Sequence, residues 1–207
     1  MIKVWGRKNS SNVQKVMWAI GELGLAYERL DIGGPFGGNK DAAYLSLNPN
    51  GLIPTIQDGE LVMWESNALV RYLATAYGTG RLVPADAKAA ATCNQWMDWQ
   101  LSVVAPSITP AFLGLVRTPA AQRDNAAIAA SQAKTIEAMS MLEARLGASR
   151  HVAGDDFTMA DIPLGIMAYR YWQLVPHHPA HPNLRRWYDA IQARKAFAEH
   201  VSSVPMT

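Results

Sequence analysis

Asn48-Pro49-Asn50-Gly51-Leu52-Ile53-Pro54-Thr55-Ile56 is a turn that runs straight into a strand. Asn-Pro and Asn-Gly steps interrupt regular structure, and a short β-branched run bounded by such breakers favours extended backbone. Asp58-Gly59 then offers a hairpin turn before a returning strand at Leu61-Val62-Met63. Glu65-Ser66 marks the passage from strand to helix. Ser66 is a suitable N-cap, and Leu69, Tyr72, Leu73 and Ala76 share one helical face up to Gly78. Upstream, Ile2 and Val4 alternate with polar neighbours as a first strand, and Val13, Val16, Met17, Ile20 and Leu23 follow at helical spacing. Ser10, Ser11 and Asn12 are candidate N-caps for that helix and Gly24 its stop. Ala26, Glu28, Leu30 and Ile32 read as a second strand, residues 33–39 as a glycine-rich loop and residues 42–47 as a short helical piece. The order β-α-β-α-β-β-α over residues 1–79 is an α/β unit with a mixed sheet.

From about Pro84 onward no strand pattern recurs. Helical spacing predicts a helix over residues 86–105 ended by Pro106 and Pro110, and others over 120–146, 159–174 and 184–200. The predicted architecture is therefore α/β followed by all-α: residues 1–79, a linker at 80–85, and a helical bundle over 86–207. The chain's 207 residues are enough for a core that needs no disulfide or metal staple. Its 19 Lys and Arg against 17 Asp and Glu leave a net charge of +2, mixed along the chain, which excludes the basic face of a nucleic-acid binder. The single cysteine, Cys93, excludes an intrachain disulfide, a Cys-based zinc site and a C-x-x-C pair. It shares an apolar helix side with Trp96 and Met97 and reads as an inert buried thiol. His177, His178 and His181 sit among prolines without a carboxylate or thiol at ligand spacing, as in a stiff connector rather than a metal site. An uninterrupted apolar run of about 18 residues, long enough to span a bilayer, is absent, and so is the pattern of a signal peptide. The expectation is a soluble, cytoplasmic protein with no membrane or nucleic-acid partner.

Three elements together resemble the cytosolic glutathione transferases. They are residues 48–56, then Trp64-Glu65-Ser66-Asn67-Ala68-Leu69-Val70-Arg71-Tyr72-Leu73, then Asp156-Phe157-Thr158-Met159-Ala160-Asp161-Ile162. The resemblance spans essentially the whole chain. It implies a thioredoxin-like N-terminal domain that binds glutathione and a helical domain that contributes the pocket for an electrophile. It also implies a homodimer with residues 65–72 close to the interface. In that family the proline after Ile53 is cis, which leaves the N–H and C=O of Ile53 to pair with the backbone of glutathione. Leu52, Ile53 and Pro54 are thus implied contacts. Ser66 would meet the γ-glutamyl carboxylate at a helix N-terminus, and Glu65 the γ-glutamyl ammonium. The histidines that often meet the glycyl carboxylate in serine-type members are replaced here by Asn39 and Gly51, so Asn39 and the neighbouring Lys40 are the implied contacts. Thr158 and Asp161 have capping-box spacing, with Phe157 and Ile162 at staple positions, a structural feature.

Nucleophilic sulfur chemistry needs the thiolate, and a free thiol with a pKa of about 8.5 is mostly protonated at neutral pH. A helix N-terminus and a hydroxyl donor favour the charged form. The loop after the first strand offers Ser10, Ser11 and Asn12, and neither Tyr nor Cys. The chain is therefore most similar to serine-type, theta- or delta-like bacterial members, and Val16 aligns with their helix valine so that Ser10 falls at the catalytic serine. Where those members carry Pro-Cys-Arg, this chain has Asn12-Val13-Gln14, so Ser11 stays a candidate beside Ser10. Asn12 is the alternative, donating from its amide as the resemblance to some disulfide-reducing relatives implies. Trp99, Gln100 and Pro106, near Trp96, are candidates for an apolar electrophile pocket. The implied activity is conjugation of glutathione, as substrate, to a hydrophobic electrophile in the manner of detoxification, with no metal. A glutathione-dependent disulfide reductase or peroxidase on the same fold is the alternative, and a non-catalytic glutathione-binding protein a third reading.

Overall fold

The computed structural model describes residues 1–207. The chain folds as two compact units, Met1–Thr79 with Lys195–Pro205, and Gly80–Arg194 with Met206–Thr207. The first contains β1 (Ile2–Trp5), α1 (Ser11–Leu23), β2 (Tyr27–Leu30), α2 (Ala42–Leu45), β3 (Thr55–Asp58), β4 (Leu61–Trp64) and α3 (Ser66–Tyr77). The strands form one mixed sheet in the order β2-β1-β3-β4, with β1 parallel to β2 and antiparallel to β3. Val4 faces Ile56 across the ladder, and both are fully buried. This is the expected β-α-β-α-β-β-α order of a thioredoxin-like domain. One detail of the hairpin differs: Asp58 pairs with Leu61, so the two turn residues are Gly59 and Glu60, and Asp58 belongs to the strand.

Helix α1 is buried on every side from Val13 to Ile20, Gln14 and Lys15 included. Its 3.6-residue periodicity marked only part of this buried surface. A further side is covered by the end of the chain, α9 (Lys195–Phe197) and the π turn Ala198–Ser202. Trp18 meets Phe197 edge to face at 4.9 Å, and a Cβ on Gly21 would lie 2.8 Å from that of Ala196. The helix expected over residues 184–200 is therefore two pieces. Phe197 and Val201 bury their side chains in the first unit instead of continuing the bundle.

The second unit holds α4 (Ala87–Trp99), α5 (Ala105–Phe112), α6 (Asn125–Leu146), α7 (Asp161–Leu174) and α8 (Pro182–Gln192). Pro106 and Pro110 do not end the first of these. π turns at Gln100–Val104 and Leu113–Arg117 make the helical run continuous from Ala87 to Arg117. A π turn changes which carbonyl each N–H meets, which is how a helix absorbs a residue that cannot donate. The hydroxyls of Ser107 and Thr109 donate back to Val104 and Ala105. Ser131 of α6 inserts its hydroxyl between the Ala111 N–H and the Ser107 carbonyl, bonding both. By length and composition the run Ala87–Arg117 is apolar enough to cross a bilayer, which a search for uninterrupted apolar runs misses; α5 packs against α6 as in a bundle.

The start of α6 is Asn125, because Asp124 caps it and residues 120–122 form a separate 3-10 turn. Asp161, fully buried, accepts from the Thr158 N–H at 2.8 Å, the Val152 N–H at 3.0 Å and the Trp187 indole at 2.7 Å. The Thr158–Asp161 pair is thus structural, as its spacing predicted. Phe157 stacks with Arg194, 3.8 Å from guanidinium to ring. His181 lies between Ser140 and Tyr171, and Cys93 is buried, which pushes its thiol pKa up.

Candidate functional site

Two helix N-termini meet in the first unit. Ser10 precedes α1 in extended conformation (φ −79°, ψ 124°), and its hydroxyl makes no capping bond to the helix. Ser11 and Asn12 open the helix, Ser11 half-buried and Asn12 exposed. Ser66 is the first residue of α3 and not its cap, which corrects the expectation; the cap position is Glu65, held at φ 74°. A positive φ in a residue other than glycine is strained and tends to persist where a site requires it. The Ser66 hydroxyl donates to the Asn12 Oδ1 at 3.2 Å. Beneath it, the fully buried Lys15 ammonium lies 3.4 Å from the Ser66 Oγ and 3.1 Å from the Asn67 Oδ1. The positive ends of two helix dipoles and a lysine cation thus converge, a field that favours anionic groups.

The Ile53–Pro54 bond is cis, and the β1–β3 ladder begins only at Thr55, leaving Leu52 to Pro54 outside it. A polar cluster holds this segment. Tyr44 donates its hydroxyl to the Leu52 carbonyl at 2.6 Å and pairs with the Thr55 hydroxyl at 2.8 Å. Asn48 donates to the same two acceptors at 2.8 and 3.1 Å, while its own carbonyl accepts from Asn50. Burial pushes the Tyr44 phenol pKa up, with the bonds from Thr55 and Asn48 pulling the other way. Asn39 donates to the Gly51 carbonyl at 2.8 Å and Lys40 to that of Asn50 at 3.2 Å. Gly51 sits at φ 60°, and a Cβ there would come within 2.6 Å of the Lys40 Nζ. Asn39 and Lys40 are thereby drawn to the same loop as Leu52, Ile53 and Pro54.

Two family models match this chain, "Glutathione S-transferase, N-terminal domain" over residues 9–76 and "Glutathione S-transferase, C-terminal domain" over residues 125–190. The chain is 41% identical to glutathione S-transferase GstB of Escherichia coli over 95% of each chain. It belongs to the glutathione S-transferase family. It is also 33% identical to glutathione S-transferase 3 of Zea mays over 99% of this chain and 95% of that protein. Among solved structures, a theta class glutathione S-transferase of Xanthomonas axonopodis pv. citri with glutathione bound matches at a TM-score of 0.95 and 43% identity, covering 100% of this chain and 99% of that one.

In the helical unit of this glutathione S-transferase family member, Trp99 is half-buried and packs edge to face on Trp96 at 5.0 Å. Gln100, which opens the first π turn, is fully buried. Pro106 is exposed and lines a cavity of about 410 Å³ with Val103, Ala138, Met141, Lys134 and Glu137. Sequence reasoning missed Lys15, Tyr44, Asn48 and Asn67. Asn48 was read only as a turn residue, and Lys15 lies between apolar positions of an amphipathic helix, where a lysine normally faces water.

Proposed function

We propose that this protein is a serine-type glutathione transferase in which Ser10, at the start of α1, stabilises the glutathione thiolate for attack on a hydrophobic electrophile. The carrying observation is that the Ser66 hydroxyl reaches Asn12 at 3.2 Å, so that the γ-glutamyl site and the N-terminus of α1 are one locus. Glutathione lies along Leu52, Ile53 and Pro54, its γ-glutamyl carboxylate at Ser66 and its ammonium at Glu65, with Asn39 and Lys40 taking the glycyl end. The sulfur then stands at the first turn of α1, where Ser10, Ser11 and Asn12 are the available side chains. Ser10 is preferred to Ser11 because the serine-type resemblance puts the catalytic serine there, and its hydroxyl is not spent on a helix cap. The helix dipole and one hydroxyl bond shift a thiol of pKa about 8.5 toward the thiolate. Residues 86–207 supply the acceptor surface, with Trp99 and Pro106 its proposed members; Gln100, fully buried, is not one of them. The enzyme works in the cytoplasm as a homodimer, with α3 from Glu65 to Tyr72 near the interface.

The test is the ultraviolet thiolate absorbance of the glutathione-saturated protein against pH, for the parent, Ser10→Ala and Ser11→Ala. A thiolate near neutral pH that is lost in Ser10→Ala alone is the expected result. Glutathione that binds and stays protonated near neutral pH would overturn the transferase reading.

A further inference from the structure

We infer that Lys15 is a positioning residue of the thiolate site, fixing the direction of a hydrogen-bond chain that runs from Lys15 through Ser66 to Asn12. The inference rests on the transferase reading above. An ammonium has three donors and no acceptor, so the 3.4 Å approach of the Lys15 Nζ to the Ser66 Oγ has one polarity: Lys15 donates. The single proton of the Ser66 hydroxyl must then point elsewhere, and Asn12 Oδ1 stands 3.2 Å away to accept it. Because a planar amide carries its oxygen and its NH2 on opposite branches, an Asn12 with Oδ1 against Ser66 turns its NH2 away from that residue. Asn12 is the second residue of α1 and exposed. Its NH2 therefore joins the backbone N–H groups of the first turn as a donor to an anion arriving there.

Burial adds a second reason. Lys15 is 1% exposed, and lysine is almost never fully buried unless its charge is used, because desolvating an ammonium is expensive. An apolar side chain of similar length fills the same volume without that penalty. The second bond, to the Asn67 Oδ1 at 3.1 Å, anchors the ammonium at the first turn of α3, so one cation serves the N-termini of both helices. Lys15 is thereby coupled to the carboxylate end of glutathione through Ser66 and to its sulfur end through Asn12.

Lys15→Met and Lys15→Arg test this, read by the pH midpoint of the thiolate absorbance of bound glutathione and by the split between glutathione KM and kcat. Lys15→Met is expected to raise the midpoint by about one pH unit, a roughly tenfold fall in the thiolate-to-thiol ratio at a given pH, and to raise KM. Lys15→Arg, also donor-only and charged, is expected to stay within about 0.3 unit of the parent. A purely structural lysine would lower the melting temperature and leave the midpoint where it was. A folded Lys15→Met with the parent midpoint overturns the inference. Should Lys15→Met not fold, Lys15→Gln replaces it, since a neutral amide can accept as well as donate and no longer sets the direction. An unmoved midpoint there overturns the inference equally. A parent that shows no thiolate near neutral pH overturns the transferase reading instead, and the two failures are thereby distinct.

Discussion

Asn48→Ala probes how the proposed glutathione edge is held. Asn48 is 2% exposed and touches the segment at both ends, donating to the Leu52 carbonyl at 2.8 Å and the Thr55 hydroxyl at 3.1 Å. Truncation removes both bonds, but the Leu52 carbonyl still accepts from the Tyr44 hydroxyl at 2.6 Å and the Thr55 hydroxyl still donates to the Tyr44 oxygen at 2.8 Å. Neither is stranded, so each loss is worth about 0.5–1.5 kcal/mol, and together about 1–3 kcal/mol. The bonds that Asn48 accepts from Asn50 lie nearer the surface, and water replaces them. If the whole loss falls on the geometry of residues 52–54, glutathione binds roughly 5- to 150-fold more weakly, at about 1.4 kcal/mol per tenfold. The thiolate midpoint should not move, because the groups around the sulfur are on α1. Tyr44→Phe should act through the same two groups, removing the donor to the Leu52 carbonyl and the acceptor of the Thr55 hydroxyl, with a similar magnitude. The double variant strands the Leu52 carbonyl and the Thr55 hydroxyl, so its loss should exceed the sum of the single losses by about 1 kcal/mol or more. Titration calorimetry with glutathione measures all three. Additive losses, or a folded Asn48→Ala with parent affinity, would refute the reasoning.

Asp161→Ala strands the N–H groups of Val152, Thr158 and Trp187. At about 1–3 kcal/mol each it should remove a large share of a typical domain stability of about 5–15 kcal/mol, visible as a much lower urea midpoint. Gly51→Ala places a methyl 2.6 Å from the Lys40 Nζ and 2.8 Å from the Asn39 carbonyl at φ 60°. It should raise glutathione KM several-fold with little change in kcat, and an unchanged KM would show that this loop does not meet the ligand. Burial lowers the pKa of His181 and of His200, with Glu143 and Glu199 respectively opposing it. Both are favoured neutral in the fold, so their contribution to stability is complete above the unfolded value of about 6.5 and is lost as pH falls through the folded values. Urea midpoints should drop as pH falls below about 6.5, with a shallower drop in His181→Gln. Ser10→Ala should leave the melting temperature unchanged while Asp124→Ala loses about 1 kcal/mol, since only the Asp124 side chain caps its helix; equal losses in differential scanning calorimetry would mean that Ser10 is a structural cap.

The order of elements was legible because the first 79 residues alternate period-2 and period-3.6 patterns between strong breakers. Boundaries failed where tertiary structure overrode local preference. Pro106 reads as a stop only if every N–H must reach the α-helical carbonyl, and the π turn at Gln100–Val104 relaxes that condition in a way no local pattern announces. Leu184 to His200 keeps one helical face throughout, so nothing local marks where Phe197 leaves the bundle to pack on Trp18. Within the candidate site, the residues that a motif can imply are those whose chemistry is local to a turn or a helix start. Lys15, Tyr44 and Asn48 were not, because each acts through a partner distant in sequence, Ser66 in one case and Leu52 or Thr55 in the others.

Three helix starts of the helical unit are met by carboxylates, whereas the starts of α7, α2, α1 and α3 have no side-chain cap. In the helical unit, the Asp86 carboxylate accepts from the Ala89 N–H at 2.8 Å, the Asp124 carboxylate from the Ala127 N–H at 2.9 Å, and Glu143 takes the N–H groups of Asn183 and Leu184. Each orphan donor met in this way stabilises its helix by about 1 kcal/mol. At α1 and α3 no side chain does so, although Ser10 is of the right type and at the right position, and Glu65 is held at φ 74° where a relaxed Ser or Asp would cap. A cap would place an acceptor over the N–H groups that an incoming carboxylate or thiolate must reach. Leaving both helices uncapped forgoes about 2 kcal/mol of local stability and keeps two sets of donors free at the point where Ser66 meets Asn12. The open starts of α1 and α3 differ from that of α7 in meeting where Ser66 donates to Asn12, which is the arrangement the proposed anion site requires.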